Sequence, residues 1–274
     1  MEYPEPDSDN ALSRASADER HRRIVAAVRE RGYVTNEELA KTFGVTVQTV
    51  RRDVNKLADD GEIRRHHGGA GLVSSIQNID YVERQGLSTP EKEAIAKVAA
   101  AHIPNHSSLF INIGTTTEAL ARALASHQDL RVITNDLNIA LTLSRNTSFT
   151  VMVTGGTVRN RDGGIVGQST CDMIGEFRVD YGIIGISGID EQGTLLDFDY
   201  EEVRAARAII SNSRQTFLLA DHTKFARHPM VRMGSLTEVS ALFTDRPPRP
   251  AILQLLVASG VSLHVVGEGG PTIP

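Results

Sequence analysis

The sequence predicts a small, mainly helical domain followed by a larger α/β domain with a mainly parallel sheet. Residues 20–70 contain three helical segments and one short basic segment with β character. From residue 107 onward, apolar runs of strand length alternate with helical segments. This alternation is typical of a parallel sheet covered by helices on both faces. With 274 residues, the chain is long enough for both domains.

The composition is that of an ordinary globular protein, with 40% hydrophobic residues. No apolar run approaches the roughly 20 residues that cross a bilayer, and the polar N-terminus has no signal-peptide pattern. We therefore expect a cytoplasmic protein with no membrane partner. Cys171 is the single cysteine, which excludes an internal disulfide and argues against a thiolate zinc site. We expect no metal and no cofactor.

Charge is distributed unevenly along the chain, whose net charge is −5. Residues 1–19 carry −5, residues 20–70 carry +4 and residues 71–274 carry −4. A basic segment within an acidic chain favours a nucleic-acid partner for residues 20–70. Residues 1–19 lack periodicity and are predicted to form a disordered acidic tail.

Residues 20–60 have the pattern of helix, turn and helix. A first helix is predicted over residues 20–31. Thr35 and Glu38 have the spacing of a capping box that opens a second helix, and Gly44 ends it. Thr46 can cap a third helix. The glycine lies in the turn where a helix-turn-helix motif needs one.

The third helix has a buried stripe and a polar outer face. Its apolar residues Val47, Val50, Val54 and Leu57 recur at helical spacing. Side chains of the outer face can bond base edges or neutralise phosphates, as in a recognition helix. An ordinary amphipathic helix with a solvated face is the alternative. The candidate DNA-binding residues of this helix are Gln48, Thr49, Arg51, Arg52 and Asn55.

Residues 62–70 follow this helix as a short basic β segment with a glycine exit, which predicts a wing. Wings of this kind approach phosphates or the minor groove, and Arg64, Arg65 and His67 are the candidates. His66 and His67 could instead form part of a metal site, but no cysteine or further histidine cluster follows them. DNA contact or solvent exposure is the preferred interpretation.

Together, these motifs resemble the winged helix-turn-helix of DeoR-family bacterial transcription regulators. The resemblance implies a repressor that binds double-stranded operator DNA through residues 20–70. It rests on 38–40 (Glu-Leu-Ala), 43–45 (Phe-Gly-Val), 50–53 (Val-Arg-Arg-Asp), 61–65 (Gly-Glu-Ile-Arg-Arg) and 67–70 (His-Gly-Gly-Ala).

Residues 71–89 show weak periodicity and are predicted to be a linker with one strand at most. Pro90 suits the first position of a helix, and we place the second domain at residues 90–270. Its strands are predicted at 109–113, 132–133, 149–153, 181–186, 217–220, 241–243 and 263–266, and its helices near 116–126, 137–145, 168–177, 200–213 and 250–258.

Small ligands bind beyond the carboxyl ends of parallel strands, so the loops after the strands are the place to search. The first such loop contains a glycine followed by three threonines that open a helix. Free amides and hydroxyls there suit a phosphate, although a threonine could simply cap the helix. The candidate residues are Gly114, Thr115, Thr116 and Thr117.

The next two strands end in Thr134-Asn135 and in Thr154-Gly155-Gly156, and we expect these loops to converge with the first on one rim. Thr134, Asn135, Gly155 and Gly156 are therefore effector-binding candidates. Each is weak alone, because turns favour the same residue types.

Three charged residues complete the predicted effector site. Asp197 and Asp199 could receive sugar hydroxyls or Mg²⁺, but acidic residues are also favoured in the first turn of a helix. Lys224 could neutralise a phosphate, or it could be an ordinary surface lysine.

These loops resemble the sensor domain of the DeoR family, which is similar in fold to ribose-5-phosphate isomerases. Within the family, residues 186–190, 197–203 and 230–232 most resemble the branch that controls glycerol and glycerol 3-phosphate catabolism. That resemblance implies sn-glycerol 3-phosphate as the small phosphorylated effector. A homo-oligomer, at least a dimer, is expected because two recognition helices that read a palindrome lie about 34 Å apart along the duplex, and the resemblance suggests a tetramer.

The alternative function is a sugar-phosphate isomerase-like enzyme with an appended DNA-binding module. Asp197, Asp199 or Glu202 would then act as the base. Glycerol phosphate has no carbonyl to enolise, and an isomerase has no need of an operator reader. We therefore predict that the protein is not an enzyme and has no catalytic residues.

Overall fold

The computed structural model describes residues 8–60, 62–66, 68–71, 81–86, 88–225 and 227–267. The chain divides into two compact units, residues 1–74 and 75–274. Across the described ranges, no helix is both long enough and apolar enough to span a membrane.

The first unit combines three helices with a small antiparallel sheet of strand order β1-β3-β2. Ile24, Leu39, Val54 and Ile63 are among the buried residues that join helices and strands in one apolar core. This arrangement is the predicted winged helix-turn-helix. The elements are α1 (Ser8–Arg31), β1 (Tyr33–Thr35), α2 (Asn36–Phe43), α3 (Val47–Asp59), β2 (Arg64–His66) and β3 (Gly69–Gly71).

Local signals mark where the helices of this unit begin and end, as the sequence predicts. Thr35 and Glu38 form a reciprocal capping box at the start of α2, with both backbone bonds at 3.1 Å. Gly44 ends α2 in the left-handed region at φ 64°, which a side chain would disfavour. The Thr46 hydroxyl accepts from the Thr49 amide at 3.1 Å and caps α3.

The prediction of a disordered tail at residues 1–19 is wrong from Ser8 onward, because α1 begins there. Residues 1–7 lie outside the described residues. Residues 8–19 contain Ala, Leu and Arg without Gly or Pro, so they can extend a helix already nucleated by the buried turn at Ile24 and Val28. Hydrophobic periodicity does not reveal such a polar extension.

The predicted linker at residues 71–89 also needs correction. Residues 72–80 and 87 lie outside the described residues, and Tyr81–Gly86 form a short helix, α4, rather than a strand. Pro90 occupies the first turn of the next helix, α5 (Thr89–Ala101), which begins one residue earlier than predicted. The Tyr81 hydroxyl bonds Glu118, so a tertiary contact supports a helix that the local sequence barely favours.

The core of the second unit is a parallel sheet in which the structure places seven described strands, in the order β15-β14-β12-β9-β4-β5-β6. Every predicted strand and helix of this domain corresponds to an observed one. The strands are β4 (Ser108–Ile111), β5 (Arg131–Thr134), β6 (Thr150–Val153), β9 (Val179–Ile184), β12 (Ser213–Leu219), β14 (Ala241–Thr244) and β15 (Ser262–Val265).

Helices cover both faces of this sheet. Alternate residues of a strand point to opposite faces, so Leu109 and Ile111 pack in one apolar cluster and Phe110 in the other. The predicted α/β layer fold is therefore confirmed. The helices are α6 (Thr115–Ala123), α7 (Leu137–Leu143), α8 (Gln168–Gly175), α9 (Tyr200–Ser211) and α10 (Pro250–Ser259), with short 3₁₀ helices at Leu124–Ser126, His222–Lys224 and Leu236–Glu238.

Two small antiparallel additions were not predicted. One is a hairpin of β7 and β8, and the other is a three-stranded sheet of order β10-β11-β13. Several of these strands have only two residues, which is too short for an alternating pattern. The strands are β7 (Thr157–Val158), β8 (Ile165–Val166), β10 (Gly188–Ile189), β11 (Thr194–Asp197) and β13 (Val231–Ser235).

The strand order places a switch point between β4 and β9. From β4 the chain continues outward to β5 and β6, whereas from β9 it continues the other way to β12, β14 and β15. The connections after β4 and β9 therefore leave in opposite directions and open a crevice at their carboxyl ends. Ligands of open α/β sheets bind at such crevices.

Candidate functional site

The outer face of α3 is exposed where the sequence predicts base contacts. Gln48, Arg51, Arg52 and Asn55 are exposed, while Val50, Val54 and Leu57 on the opposite face are buried. Thr49 is half-buried, and its hydroxyl shares a 2.9 Å hydrogen bond with Thr46. Four of the five candidates are therefore exposed on the outer face, whereas Thr49 also takes part in capping the helix.

The wing lies beside this helix. Arg64 and Arg65 are exposed on β2, and the Arg65 guanidinium donates to the Asn55 side-chain oxygen at 3.2 Å. The predicted helix and wing residues therefore share one polar surface. His67 lies outside the described residues.

Asp53 is the residue of α3 whose role sequence reasoning missed. It faces inward, and its carboxylate accepts from Arg20 at 2.7 Å and from His21 at 2.8 Å. Burial acts to raise the pKa of Asp53, but the bonds from Arg20 and His21 outweigh it and lower that pKa. Asp53 lies at helical spacing among Val50, Val54 and Leu57, so an acid that interrupts the apolar stripe is the signal that could have revealed this clamp of Asp53 with Arg20 and His21.

In the second unit, a threonine hydroxyl of the loop after β4 is hydrogen-bonded within the same turn. The Thr117 side chain donates to the Gly114 carbonyl at 2.7 Å, so that hydroxyl is occupied by the turn. Thr116 and Thr117 are buried and Thr115 is half-buried. No side chain among the described residues caps the N-terminus of α6, whose N-cap is Gly114, so the capping alternative is not what the structure shows for these threonines. Ligand contact by Gly114, Thr115, Thr116 and Thr117 stays a prediction.

The loop after β5 joins this first loop. The Thr134 hydroxyl donates to the Ile111 carbonyl at 2.7 Å, which ties the end of β5 to the end of β4. The Asn135 side-chain amide donates to Ile165 at 3.1 Å, and its buried oxygen has no partner among the described residues. Asp136 caps α7, and burial raises the pKa of this carboxyl to about 6.

The loop after β6 is held by close packing. A Cβ at Gly156 would lie 2.5 Å from the Thr170 hydroxyl oxygen, and the residue has φ 139°. The Gly155 carbonyl accepts from that same hydroxyl at 2.7 Å. Close packing therefore explains the glycine at position 156, whereas a Cβ at Gly155 would meet only Ser169 Cβ at 3.8 Å. Contact of either glycine with a ligand stays a prediction.

The two predicted acids have different environments. Asp199 caps α9, and its carboxylate also accepts from Arg159 at 2.9 Å and from Arg161 at 2.7 Å. Asp197 is only 3% exposed, and burial raises its pKa against a hydrogen bond from Phe198. Asp199 thus has the helix-capping role, whereas Asp197 faces a buried interior.

Lys224 follows β12, the strand next to β9, and it is partly buried rather than on the open surface. Burial lowers the pKa of Lys224 to about 8, against the attraction of Asp221. Three more cations lie close enough to influence its titration, and together they make a basic cluster at the carboxyl ends of the central strands. These are Arg84, Lys92 and Arg227.

Two members of this basic cluster are deeply buried. Lys92 is 4% exposed and Arg227 is 5% exposed, and burial lowers their pKa values to about 8 and about 10. Asp197 and Asp221 are the buried carboxylates that raise the pKa of Arg227. Sequence reasoning missed Arg84, Lys92 and Arg227. A lysine on the apolar face of the α5 pattern was the one available signal.

Several polar atoms around this crevice have no partner among the described residues. They are buried, and unpaired buried polar atoms call for a specific explanation such as a ligand or water. In the described part of the chain, no three His, Cys, Asp or Glu residues are grouped so that they could hold a metal ion. The atoms are Arg84 Nε, Asn112 Oδ1, Asn135 Oδ1, Asp136 Oδ2, Thr154 Oγ1 and Arg227 Nη2.

Comparison with known protein families gives a match for each unit. Residues 20–76 match the model of the DeoR-like helix-turn-helix domain. Residues 88–246 match the model of the DeoR C terminal sensor domain. Together, the two matches cover about four fifths of the chain.

Among curated proteins, the chain is similar to the glycerol-3-phosphate regulon repressor of Escherichia coli (strain K12), with 51% identity over 90% of this chain and 98% of that protein. It is also similar to the HTH-type transcriptional repressor CsqR of the same organism, with 41% identity over 94% of this chain and 99% of that protein. Ribose 5 phosphate isomerase A from Neisseria gonorrhoeae is a structural neighbour at TM-score 0.37 and 14% identity, covering 49% of this chain and 52% of that one. A likeness at that level carries no functional argument.

Proposed function

This chain belongs to the DeoR family of transcription regulators, and we propose that it is a cytoplasmic repressor that leaves its operator when sn-glycerol 3-phosphate binds the second unit. The basic cluster at the crevice between β4 and β9 is the observation that carries the effector proposal. The name of the 51% identical relative supports this particular phosphate ester. An isomerase activity is not favoured, because both units match regulator domains.

Operator DNA is held by residues 20–70 in this proposal. Gln48 and Asn55 are suited to adenine edges and Arg51 to guanine, since these pairings are bidentate in the major groove. Arg52 and the wing arginines contact phosphates. Two such units reading a palindrome lie about 34 Å apart along the duplex, so we propose a dimer or tetramer of the chain.

The effector is held by residues 90–270 together with Arg84. The basic cluster receives the phosphoryl group, and Asp197 accepts hydrogen bonds from the glycerol hydroxyls. To release DNA, the effector must prefer the DNA-incompetent arrangement of the protein. A hundredfold preference shifts that equilibrium by about 2.7 kcal/mol.

The test uses the full chain and the promoter DNA of the glycerol 3-phosphate catabolic genes from the same genome. Footprinting should show a protected palindrome, and fluorescence anisotropy should show its release by sn-glycerol 3-phosphate. Glycerol and sn-glycerol 1-phosphate are the controls, since they lack the phosphoryl group or have the wrong hand. A footprint that persists with every phosphorylated metabolite would contradict the proposal.

A further inference from the structure

Arg84 lies among the charged residues of the basic cluster and the carboxylates beside it. It comes from α4, whereas its neighbours come from α5, from β11, from α9 and from the segment after β12. Its charge lowers the pKa values of three cations and of two buried carboxylates, so it lies near all of them. The five groups are Lys92, Lys224, Arg227, Asp197 and Glu202.

Arg84 also has an unused donor. Its side chain is 18% exposed and lies 3.8 Å from the Asp162 carboxylate, but Nε is buried without a partner among the described residues. Arg227, which is 5% exposed, likewise has a buried and unpartnered Nη2. Two guanidinium groups with spare N–H donors match the forked geometry with which arginine binds phosphate oxygens.

The four cations of the basic cluster suit a phosphoryl group. Arg84, Lys92, Lys224 and Arg227 face the buried carboxylates Asp197 and Asp221. Asp162 and Glu202 also lie near Arg84, and Arg159 forms ion pairs with both. A phosphate monoester carries close to two negative charges at neutral pH, so it is a suitable ligand for the four cations.

Hydrogen bonds to side chains of α6 and α7 hold α4 in place. The Tyr81 hydroxyl donates to Glu118 at 2.5 Å and accepts from Asn138 at 2.9 Å. The Lys92 ammonium donates to the Arg84 carbonyl, and the Arg84 guanidinium lies 5.8 Å from the centre of the Tyr81 ring. The position of α4 therefore depends on the groups that line the crevice.

We propose that Arg84 binds the phosphoryl group of the effector directly, and that occupancy of the crevice thereby fixes α4. This proposal rests on the proposed function and adds both a binding residue and a route of regulation. In the described chain, α4 is the first element after β3 of the DNA-binding unit. An effector that fixes α4 therefore acts on the part of the second unit that follows the DNA-binding unit in the sequence.

The experiment measures sn-glycerol 3-phosphate binding to the full chain by calorimetry and the amide hydrogen exchange of residues 81–86. In the wild type, saturating ligand should slow exchange in that segment. Arg84→Gln should raise the dissociation constant at least tenfold and abolish the slowing even at saturation. Arg84→Lys should restore part of the affinity, and Arg122→Gln, an exposed arginine of α6, should match the wild type.

The outcomes separate the two proposals. If the wild type binds the ester but Arg84→Gln binds it equally well, or if exchange of residues 81–86 does not respond, the role of Arg84 is overturned and the proposed function stands. If the wild type binds neither the ester nor inorganic phosphate, the proposed effector is wrong. Should Arg84→Gln not fold, the wild-type exchange and the Arg84→Lys affinity decide.

Discussion

Lys92 and Lys224 are lysines whose protonation changes just above neutral pH, since burial lowers both pKa values to about 8. A dianionic ester binds best when both are protonated, and its own second pKa of about 6 lies below this range. Effector affinity should therefore fall as pH rises from 7 to 9, by about tenfold for each lysine that must regain its proton. Calorimetry across this pH range measures the effect.

Lys224→Arg is the matched variant for this titration, because a guanidinium stays protonated throughout the range. In this variant the fall in effector affinity between pH 7 and pH 9 should be about tenfold smaller than in the wild type, while the effector still binds at pH 7. An affinity that stays constant from pH 7 to 9 in the wild type would show that these ammonium groups do not hold the effector.

The sequence predicted Lys224 but neither Arg84 nor Lys92, for a physical reason. Lys224 follows a strand, and loops after parallel strands share one rim, so its place could be inferred from the chain alone. Arg84 and Lys92 belong to helices before the first strand of the sheet. Only the packing of α5 on the sheet brings them to the rim, and single-sequence periodicity carries no information about that packing.

The ion pairs from Asp53 join α1 to α3, and they suggest a test of how these two helices are held together. Asp53→Asn leaves Arg20 and His21 without a partner charge at side chains that are 17% and 12% exposed. The free energy of unfolding of the first unit should be about 1–3 kcal/mol lower than in the wild type. Urea denaturation followed by circular dichroism measures it, with Asp59→Asn on the exposed side of α3 as control.

The pH dependence of this clamp has a definite sign. The pKa of Asp53 is lowered in the folded protein, so the stabilisation is present above its unfolded value of about 4 and is lost as pH falls through the folded value. The stability difference between wild type and Asp53→Asn should therefore shrink in acid. A difference that is the same at pH 3 and pH 7 would exclude the ion pairs as its cause.

Long elements with a buried stripe or run were predictable, and short or polar ones were not. The central strands and helices α5 to α10 were all expected near their observed positions. The hairpin of β7 and β8 has two residues per strand, and the first turns of α1 have no apolar stripe. Such elements depend on neighbours in space, which a pattern along the chain does not contain.

The division of the chain into two units predicts that its two binding activities separate by mutation. Arg52→Ala should weaken operator binding and reduce the slope of log affinity against log salt by about 0.9, because one phosphate contact is lost. Its affinity for the effector should not change. Lys224→Gln should behave in the opposite way, with normal operator affinity and release only at higher effector concentrations.

Fluorescence anisotropy at several salt concentrations and calorimetry measure the two activities. Arg145→Ala, an exposed arginine of the second unit, is the control for unspecific loss of positive charge. If Lys224→Gln lost operator binding while remaining folded, the separation of roles between residues 20–70 and the second unit would be wrong.

The switch point between β4 and β9 also has a genetic consequence. Its crevice is assembled from α4 and α5 and from the chain after β4, β9 and β12, which are stretches far apart in the coding sequence. A selection for bacteria that can no longer induce the operon should therefore return mutations in several separate islands of the gene. Mutations that make expression constitutive because the folded protein no longer binds the operator should instead cluster within the first quarter of the gene.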